Sequence, residues 1–456
     1  MKKQNVTFSI GNLGIIEKAD ADFDFFKDIV SDLQGNAKSF LPSVKLLIYN
    51  RLGECYSISR LDQFTPDELF SRLGATEVIS DRTLNRTLQR VGEKAQFILT
   101  NYQKFVKRYD LASKNQNIDF SASYFIGKEC SMAKFGHPKD HRPDKPQINY
   151  GVSIGENSIP TAMTIQNGNT ADPVQMNSTI RMCSHVLEKG SLLTFDCGGN
   201  TKKNKIKIRS LDFHYLTLKP KKKGVYKSYI AEYEKQKKEG TLIKILIGET
   251  EQTYLCAKFQ KGSEFNYIFF SSETKQLQLE FKKLKQRRKI EKNDKLLKKV
   301  HKGKDLKSEV CSEGYLVTHG SIQKCLTDEV PNQFINGVEG FFILESSLDL
   351  EPKEILRLYK DKDKAEKFIR DMKEGAETRP IRHWNSMTVK GYLLLIFLTN
   401  ALINLTLLKA KDNAVTNLKL LKKYLCNLTL TVFYPKNALR FEILSNNSAQ
   451  MKSILG

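Results

Sequence analysis

The sequence predicts an α/β fold that follows a mostly helical N-terminal region. Two observations support this prediction. Apolar residues recur at helical spacing over the first hundred or so residues, and from about residue 116 the chain changes to short β-like runs separated by Gly, Pro and Asn. A helix is predicted among these runs, and strands followed by a helix and further strands are typical of an α/β sheet.

The clearest N-terminal helix is predicted in SDRTLNRTLQRVGEKAQFILTNYQKFV, where Ser80 or Asp81 can cap the first turn. Its apolar face contains Leu84, Leu88 and Val91. Three arginines step by four along another face and suit phosphate contacts, although a solvated basic face is the commoner explanation. They are Arg82, Arg86 and Arg90.

Five β-like runs follow: NIDFSASYF, INYGVSI, TAMTIQNG, SLLTFD and FHYLTL. Between the third and fourth runs, a helix is predicted with Asp172 as its cap, Pro173 at its first position and Gly190 as its stop. A second β-rich stretch runs from TLIKILIG to FNYIFFSS and leads into a strongly basic segment. After GFFILES the chain is again predicted to be helical.

One apolar segment, Gly391 to Leu408, is about the minimum length for a bilayer crossing. Thr399, Asn400 and Asn404 interrupt it, so a buried core helix is preferred and no membrane partner is expected.

Positive charge dominates the composition. Lys plus Arg number 74 against 51 Asp plus Glu, which gives a net charge of +23. Such an excess favours a polyanionic partner, with nucleic acid preferred over an anionic membrane. In the basic segment, Arg287 and Arg288 are predicted DNA contacts, together with the three helical arginines.

The 8 cysteines contain no C-x-x-C pair, which argues against a zinc ribbon and a disulfide scaffold. The first residues mix polar and apolar side chains, so no signal-peptide core is expected. The predicted location is therefore the cytoplasm.

Three carboxylates stand out. Asp119 interrupts a β-like run, although Asp is depleted in strands. Asp196 ends the run SLLTF and precedes two glycines, so it is predicted at the carboxyl end of a strand, where open α/β sheets bind ligands. Glu366 is predicted on a helix at the margin of its buried face, within one arc of about 60° shared by Tyr359, Lys362 and Lys373.

Two aspartates and a glutamate would form an all-oxygen site for Mg²⁺, with Mn²⁺ as a substitute. A pair of such ions about 4 Å apart can activate a water or a DNA 3′-hydroxyl and stabilise the leaving oxygen. Taken singly, each acid is more often a cap or a surface residue. His137 and His141 also suggest zinc, but the flanking prolines favour a rigid loop in which Asp140 and Arg142 make local bonds. Trp384 is expected to pack in the core or to stack on a distorted DNA base.

From about residue 45 to 410, the chain resembles insertion-sequence transposases of the DDE class, in the branch with the Y-(2)-R-(3)-E-(6)-K signature. The signature reads Tyr359, Lys362, Glu366 and Lys373, with lysine in place of arginine. DFSASYF and TFDCGGNT resemble the first-aspartate strand and the second-aspartate turn of the family, and GHPKDHRPDKPQ and GNTAD resemble two of its connecting motifs.

The resemblance implies an RNase H-like core, a mixed sheet flanked by helices and interrupted by a β-rich insertion domain. The expected domains are a helical DNA-binding region at 1–112, the first part of the core at 113–235, the insertion with its basic helix at 236–338, and the rest of the core with C-terminal helices at 339–456. Asp119, Asp196 and Glu366 would bind two Mg²⁺ ions, and Tyr359, Lys362 and Lys373 would contact DNA.

The implied reaction is metal-dependent cleavage at transposon ends, followed by transfer of the 3′-hydroxyl into target DNA. The implied partners are double-stranded terminal inverted repeats and target DNA, bound by a homodimer in association with the nucleoid. Two alternatives stay open. One is a non-catalytic DNA-binding protein derived from a transposase, and the other is an RNase H-like nuclease that would not need the insertion or the N-terminal region.

Overall fold

The chain divides into two compact units in the computed structural model. The first unit comprises Met1–His214 and Lys360–Gly456, and the second comprises Tyr215–Tyr359. The predicted domain limits at residues 112, 235 and 338 stay predictions, because this division is coarser. The structure describes residues 5–33, 38–55, 57–59, 61, 65–247, 252–300, 315–318, 321–324, 335, 337–374, 378–410, 418–436 and 438–455.

The N-terminal part of the first unit is mostly helical, as predicted. Ser80 caps the best predicted helix, since its hydroxyl accepts a hydrogen bond from Thr83 N at 3.3 Å, and Leu84, Leu88 and Val91 are fully buried. The elements of this part are β1 (Val6–Ser9), α1 (Gly11–Phe23), α2 (Phe25–Val30), α3 (Phe40–Leu52), α4 (Asp67–Arg72), α5 (Asp81–Glu93) and α6 (Ala95–Arg108).

A mixed sheet follows in the same unit. Its elements are β2 (Asn115–Tyr124), β3 (Gln147–Gly155), β4 (Pro160–Asn167), α7 (Asp172–Cys183), β5 (Leu192–Phe195) and α8 (Lys202–Ser210). The strand order is β4-β3-β2-β5, with antiparallel pairs except for the parallel pair of β2 and β5. The predicted strands are therefore confirmed. The predicted ends of α7 are wrong, because Ala171 is its cap and Gly190 is instead a left-handed turn residue before β5.

The second unit contains its own run of antiparallel strands, in the order β6-β12-β9-β8-β7. Its elements are β6 (His214–Leu218), which begins at the unit boundary, α9 (Lys223–Glu239), β7 (Ile243–Ile247), β8 (Gln252–Lys261), β9 (Glu264–Phe270), α10 (Ser272–Val300), β10 (Tyr315–Thr318), β11 (Ser321–Lys324), β12 (Phe341–Ser346) and α11 (Pro352–Lys360). Helix α9 was not predicted. It packs Tyr226, Tyr229 and Tyr233 into an apolar core with Ile268 and Phe341.

The chain then returns to the first unit through α12 (Asp363–Glu374), α13 (Ser386–Lys409), α14 (Leu418–Asn427), β13 (Thr429–Phe433), β14 (Phe441–Ser445) and α15 (Ala449–Leu455). Strand β1 pairs with β13, so both ends of the chain share one small sheet that the sequence did not predict.

Helix α13 is long and apolar enough to cross a membrane, but 78% of its most apolar window is buried inside the protein, as expected for a core helix. It packs closely against α5 at two glycines. A Cβ on Gly391 would lie 1.9 Å from Leu88 O, and one on Gly92 would lie 1.7 Å from Met387 O.

Candidate active site

Asp119 and Asp196 lie side by side because of the strand register. The parallel ladder of β2 and β5 ends at the pair Ile118 and Phe195, so each aspartate is the next residue along its strand. Neighbouring strands lie about 5 Å apart. The sheet therefore places two carboxylates at one level, at the carboxyl end of β5, as predicted for Asp196.

The turn after Asp196 is a tight 3₁₀ turn, Cys197–Gly199. A Cβ at Gly198 would lie 2.6 Å from Asp172 Oδ2, so a larger residue there would displace that carboxylate. Thr201 then caps α8 by accepting a hydrogen bond from Asn204 N at 3.2 Å. The turn is thus fixed on both sides, and Asp196 itself stays about half exposed.

Glu366 lies in the first turn of α12, which packs against β2 and β3. The predicted apolar face is confirmed, since Ala365, Phe368, Ile369 and Met372 are buried. The predicted continuous helix from Tyr359 to Lys373 is wrong. Helix α11 ends at Lys360 and α12 begins at Asp363, so Tyr359 does not share a helical arc with Glu366.

The ammonium of Lys362 joins the three acids. Its Nζ lies 2.6 Å from Glu366 Oε1, 3.2 Å from Asp196 Oδ2 and 4.0 Å from Asp119 Oδ1. The lysine side chain is only 7% exposed. Three carboxylates that are remote in the sequence therefore converge on one cation.

Opposing effects set the proton affinities at this cluster. Burial alone lowers the pKa of Lys362, but the three surrounding carboxylates outweigh it and raise the pKa above its ordinary value. Burial raises the pKa of Asp119, although the charge of Lys362 acts in the opposite direction. The ammonium is thus held in its charged form by the same acids that it neutralises.

The predicted magnesium ligands have suitable chemistry, since carboxylate oxygens that converge on a cation suit a hard divalent ion. In the structure these oxygens contact the Lys362 ammonium. Among the described residues, no group of three or more His, Cys, Asp or Glu side chains is arranged to hold a metal ion. His137 and His141 lie in a loop, as the flanking prolines predicted.

The segment from Gly136 to Gln147 makes contacts that support the site. The sequence did not predict these contacts. Lys139 Nζ lies 2.7 Å from Asp172 Oδ1, and Gln147 Nε2 donates a hydrogen bond to Gly168 O at 3.0 Å. The two connecting motifs named above therefore pack on each other, and α7, which begins at Asp172, packs against the turn after Asp196.

Lys373 is tied into the same loop. Its Nζ lies 2.5 Å from Asp140 Oδ1, and the lysine and aspartate side chains are only 11% and 3% exposed. Arg142 pairs with Asp144 at 2.8 Å, as the rigid-loop interpretation expected. The bond made by Asp140 is not local, because it reaches α12.

The predicted arginine contacts lie on two helices, one in each unit. Arg82 and Arg86 are exposed on α5, whereas Arg90 is partly covered and lies over the ring of Phe40. In the second unit, Arg287 and Arg288 are exposed on α10. Trp384 is 69% exposed, so its predicted packing in the core is wrong and stacking remains a prediction.

Comparison with solved structures gives several matches. No protein-family model matches the chain, and no curated protein matches it. The cryo-EM structure of the piggyBac transposase synaptic complex with hairpin DNA is similar over 93% of this chain and 83% of that chain, with 10% sequence identity and a TM-score of 0.46.

Proposed function

We propose that this protein is a DDE-class DNA transposase of the insertion-sequence type, built on an RNase H-like core. In the proposed reaction it cleaves DNA at transposon ends and transfers the freed 3′-hydroxyl into target DNA. The observation that carries the proposal is the convergence of Asp119, Asp196 and Glu366 on a single cation, on elements that the strand register and the packing of α12 hold together.

The three carboxylates would hold Mg²⁺, or Mn²⁺ in its place. When bound, such ions supply a deprotonated nucleophile and stabilise the leaving oxygen in phosphodiester displacement. The protein contributes the alignment. Asp119 lies within a strand that is paired on both sides, Asp196 directly precedes a tight turn, and Glu366 lies on a helix whose opposite side is buried.

The basic surfaces would hold the DNA. Arg82 and Arg86 on α5 are proposed to contact phosphates of the terminal repeats, and Arg287 and Arg288 on α10 to contact further DNA. The same proposal includes three further points. The protein would act on paired ends as a homodimer, it would be associated with the nucleoid in the cytoplasm, and Tyr359 would contact a DNA phosphate.

The test is cleavage of DNA that carries the sequences flanking the reading frame, with and without Mg²⁺. We expect Asp196→Ala to abolish cleavage and to leave DNA binding nearly intact. Asp212→Ala is the control, because that aspartate is exposed and pairs with Lys189. Unchanged cleavage by Asp196→Ala would contradict the active-site assignment.

The same assay separates the alternatives. Binding without cleavage by the wild type would indicate a non-catalytic DNA-binding protein. Cleavage without joining to a target would indicate an RNase H-like nuclease.

A further inference from the structure

We propose that the Lys362 ammonium is a resident counter-ion of the acidic cluster and that a divalent cation must displace it to bind. The inference rests on the proposed metal-dependent function and goes beyond it, since it assigns Lys362 a role in controlling metal affinity. This role precedes any contact with DNA.

The geometry makes the ammonium and a metal ion compete for the same oxygens. The ammonium lies 2.6 Å from Glu366 Oε1 and 3.2 Å from Asp196 Oδ2, so it already contacts one oxygen of each carboxylate. Magnesium binds its oxygen ligands at about 2.0–2.1 Å, which is closer than either of these contacts. A metal ion that used these two oxygens would therefore have to displace the ammonium.

The position of Lys362 in the chain supports a role outside local helix stability. Lys362 immediately precedes α12, and its carbonyl accepts hydrogen bonds from Ala365 N at 2.9 Å and Glu366 N at 3.3 Å. Helix starts favour Ser, Thr, Asp and Asn, and a cation there opposes the helix dipole. The acids across the cluster compensate this unfavourable placement. The lysine is therefore explained by the acids that it contacts.

Displacement by a metal ion would also allow the Lys362 ammonium to contact DNA. Once displaced from Asp196 and Glu366, which are about half exposed, the ammonium would be available to a phosphate oxygen of bound DNA. Metal and DNA would then favour each other's binding. Metal binding would free the lysine to contact a phosphate, and the phosphate would in turn keep the lysine away from the metal position.

The test measures Mn²⁺ binding by calorimetry on the full chain without DNA. We compare the wild type with Lys362→Met and with Lys367→Met, a control on the same helix whose lysine pairs with Asp363 at 2.5 Å and is exposed. Removal of a competing charge from the site should tighten Mn²⁺ binding about tenfold or more in Lys362→Met. Lys367→Met should match the wild type.

The outcomes separate this inference from the proposed function. Equal Mn²⁺ affinity in the wild type and Lys362→Met would overturn the counter-ion role while leaving the metal site in place. Absence of Mn²⁺ binding in every variant would overturn both.

A second measurement uses only the wild type, in case Lys362→Met fails to fold. Amine acylation is mapped by mass spectrometry with and without saturating Mn²⁺, with Lys367 as the internal reference. We expect acylation of Lys362 to rise several-fold on metal addition while Lys367 stays constant. A Lys362 that remains shielded at saturating metal would overturn the inference.

Discussion

Replacing Lys373 by Met tests whether this lysine is a DNA contact, as proposed, or an anchor for the helix that carries Glu366. In the structure its ammonium lies against Asp140 Oδ1, and the other oxygen of that carboxylate accepts a hydrogen bond from Tyr124 N at 3.3 Å. The ion pair therefore links α12 to the end of β2, the strand that contains Asp119.

The size of the effect follows from burial. Breaking a buried ion pair by removing one partner typically costs about 3–5 kcal/mol, because the remaining charge is left without compensation. Asp140 keeps a second cation, Arg379, at 3.7 Å, but that arginine is partly exposed. We therefore expect Lys373→Met to lower the free energy of unfolding by about 3 kcal/mol, the lower end of that range.

The assay is urea unfolding of the free protein, combined with a salt titration of DNA binding. Lys367→Met is the matched control, since it removes the same charge from the same helix at a pair where both side chains are exposed. Such exposed pairs contribute about 0–1 kcal/mol. If Lys373→Met unfolds like this control and instead flattens the salt dependence of DNA binding, the anchoring role is refuted and the phosphate contact is supported.

Three further outcomes are expected. Gly391→Ala should strongly destabilise the first unit, because its Cβ would lie 1.9 Å from Leu88 O, whereas Gly224→Ala meets no atom within 4 Å and should leave the unfolding midpoint unchanged or slightly higher. Burial and the charge of Arg51 lower the pKa of His383 to about 4, so stability should fall as the pH drops from about 6.5 towards 4. This acid-induced loss should be smaller in His383→Gln; an identical pH profile would contradict the assignment. Arg82→Met should reduce the slope of log affinity against log salt by about 0.9 if that arginine neutralises one phosphate, and an unchanged slope would exclude the contact.

Much of the candidate site could be predicted from local sequence. Asp119 was conspicuous because a charged residue interrupts a β-like run, and Asp196 because an apolar run ends on it before two glycines. Both aspartates were identified from a strand or from its end. The alternation of apolar and polar residues indicates a strand, and turn residues indicate its end, so a short stretch of sequence is enough to predict both. The apolar face of α12 was also predicted from the sequence, and its buried residues are those that the helical spacing indicated.

Other features depend on contacts between distant segments and could not be predicted. The segment YKDKDK contains no Gly or Pro to end a helix, and its Asp residues, although common at helix starts, also fit an exposed helical face. The break between Lys360 and Asp363 was therefore not predicted. The pairing of β1 with β13 joins the two ends of the chain and leaves no periodic trace in either. Likewise, the charge of Lys373 was visible but its partner Asp140 was not.

The break before α12 and the lysine at position 362 explain each other. Because the chain turns there, the side chain of Lys362 reaches across to Asp196 and Asp119 as well as to Glu366, its neighbour four residues on. An ammonium is a compact point charge with three donors, which suits a cluster of three carboxylates, whereas a guanidinium is a planar fork suited to one bidentate partner. Lysine at position 362 is therefore matched to the acids it faces in the free protein. It is thus positioned to keep the three acids charged and close together, which is the state from which the proposed exchange with a metal ion would start.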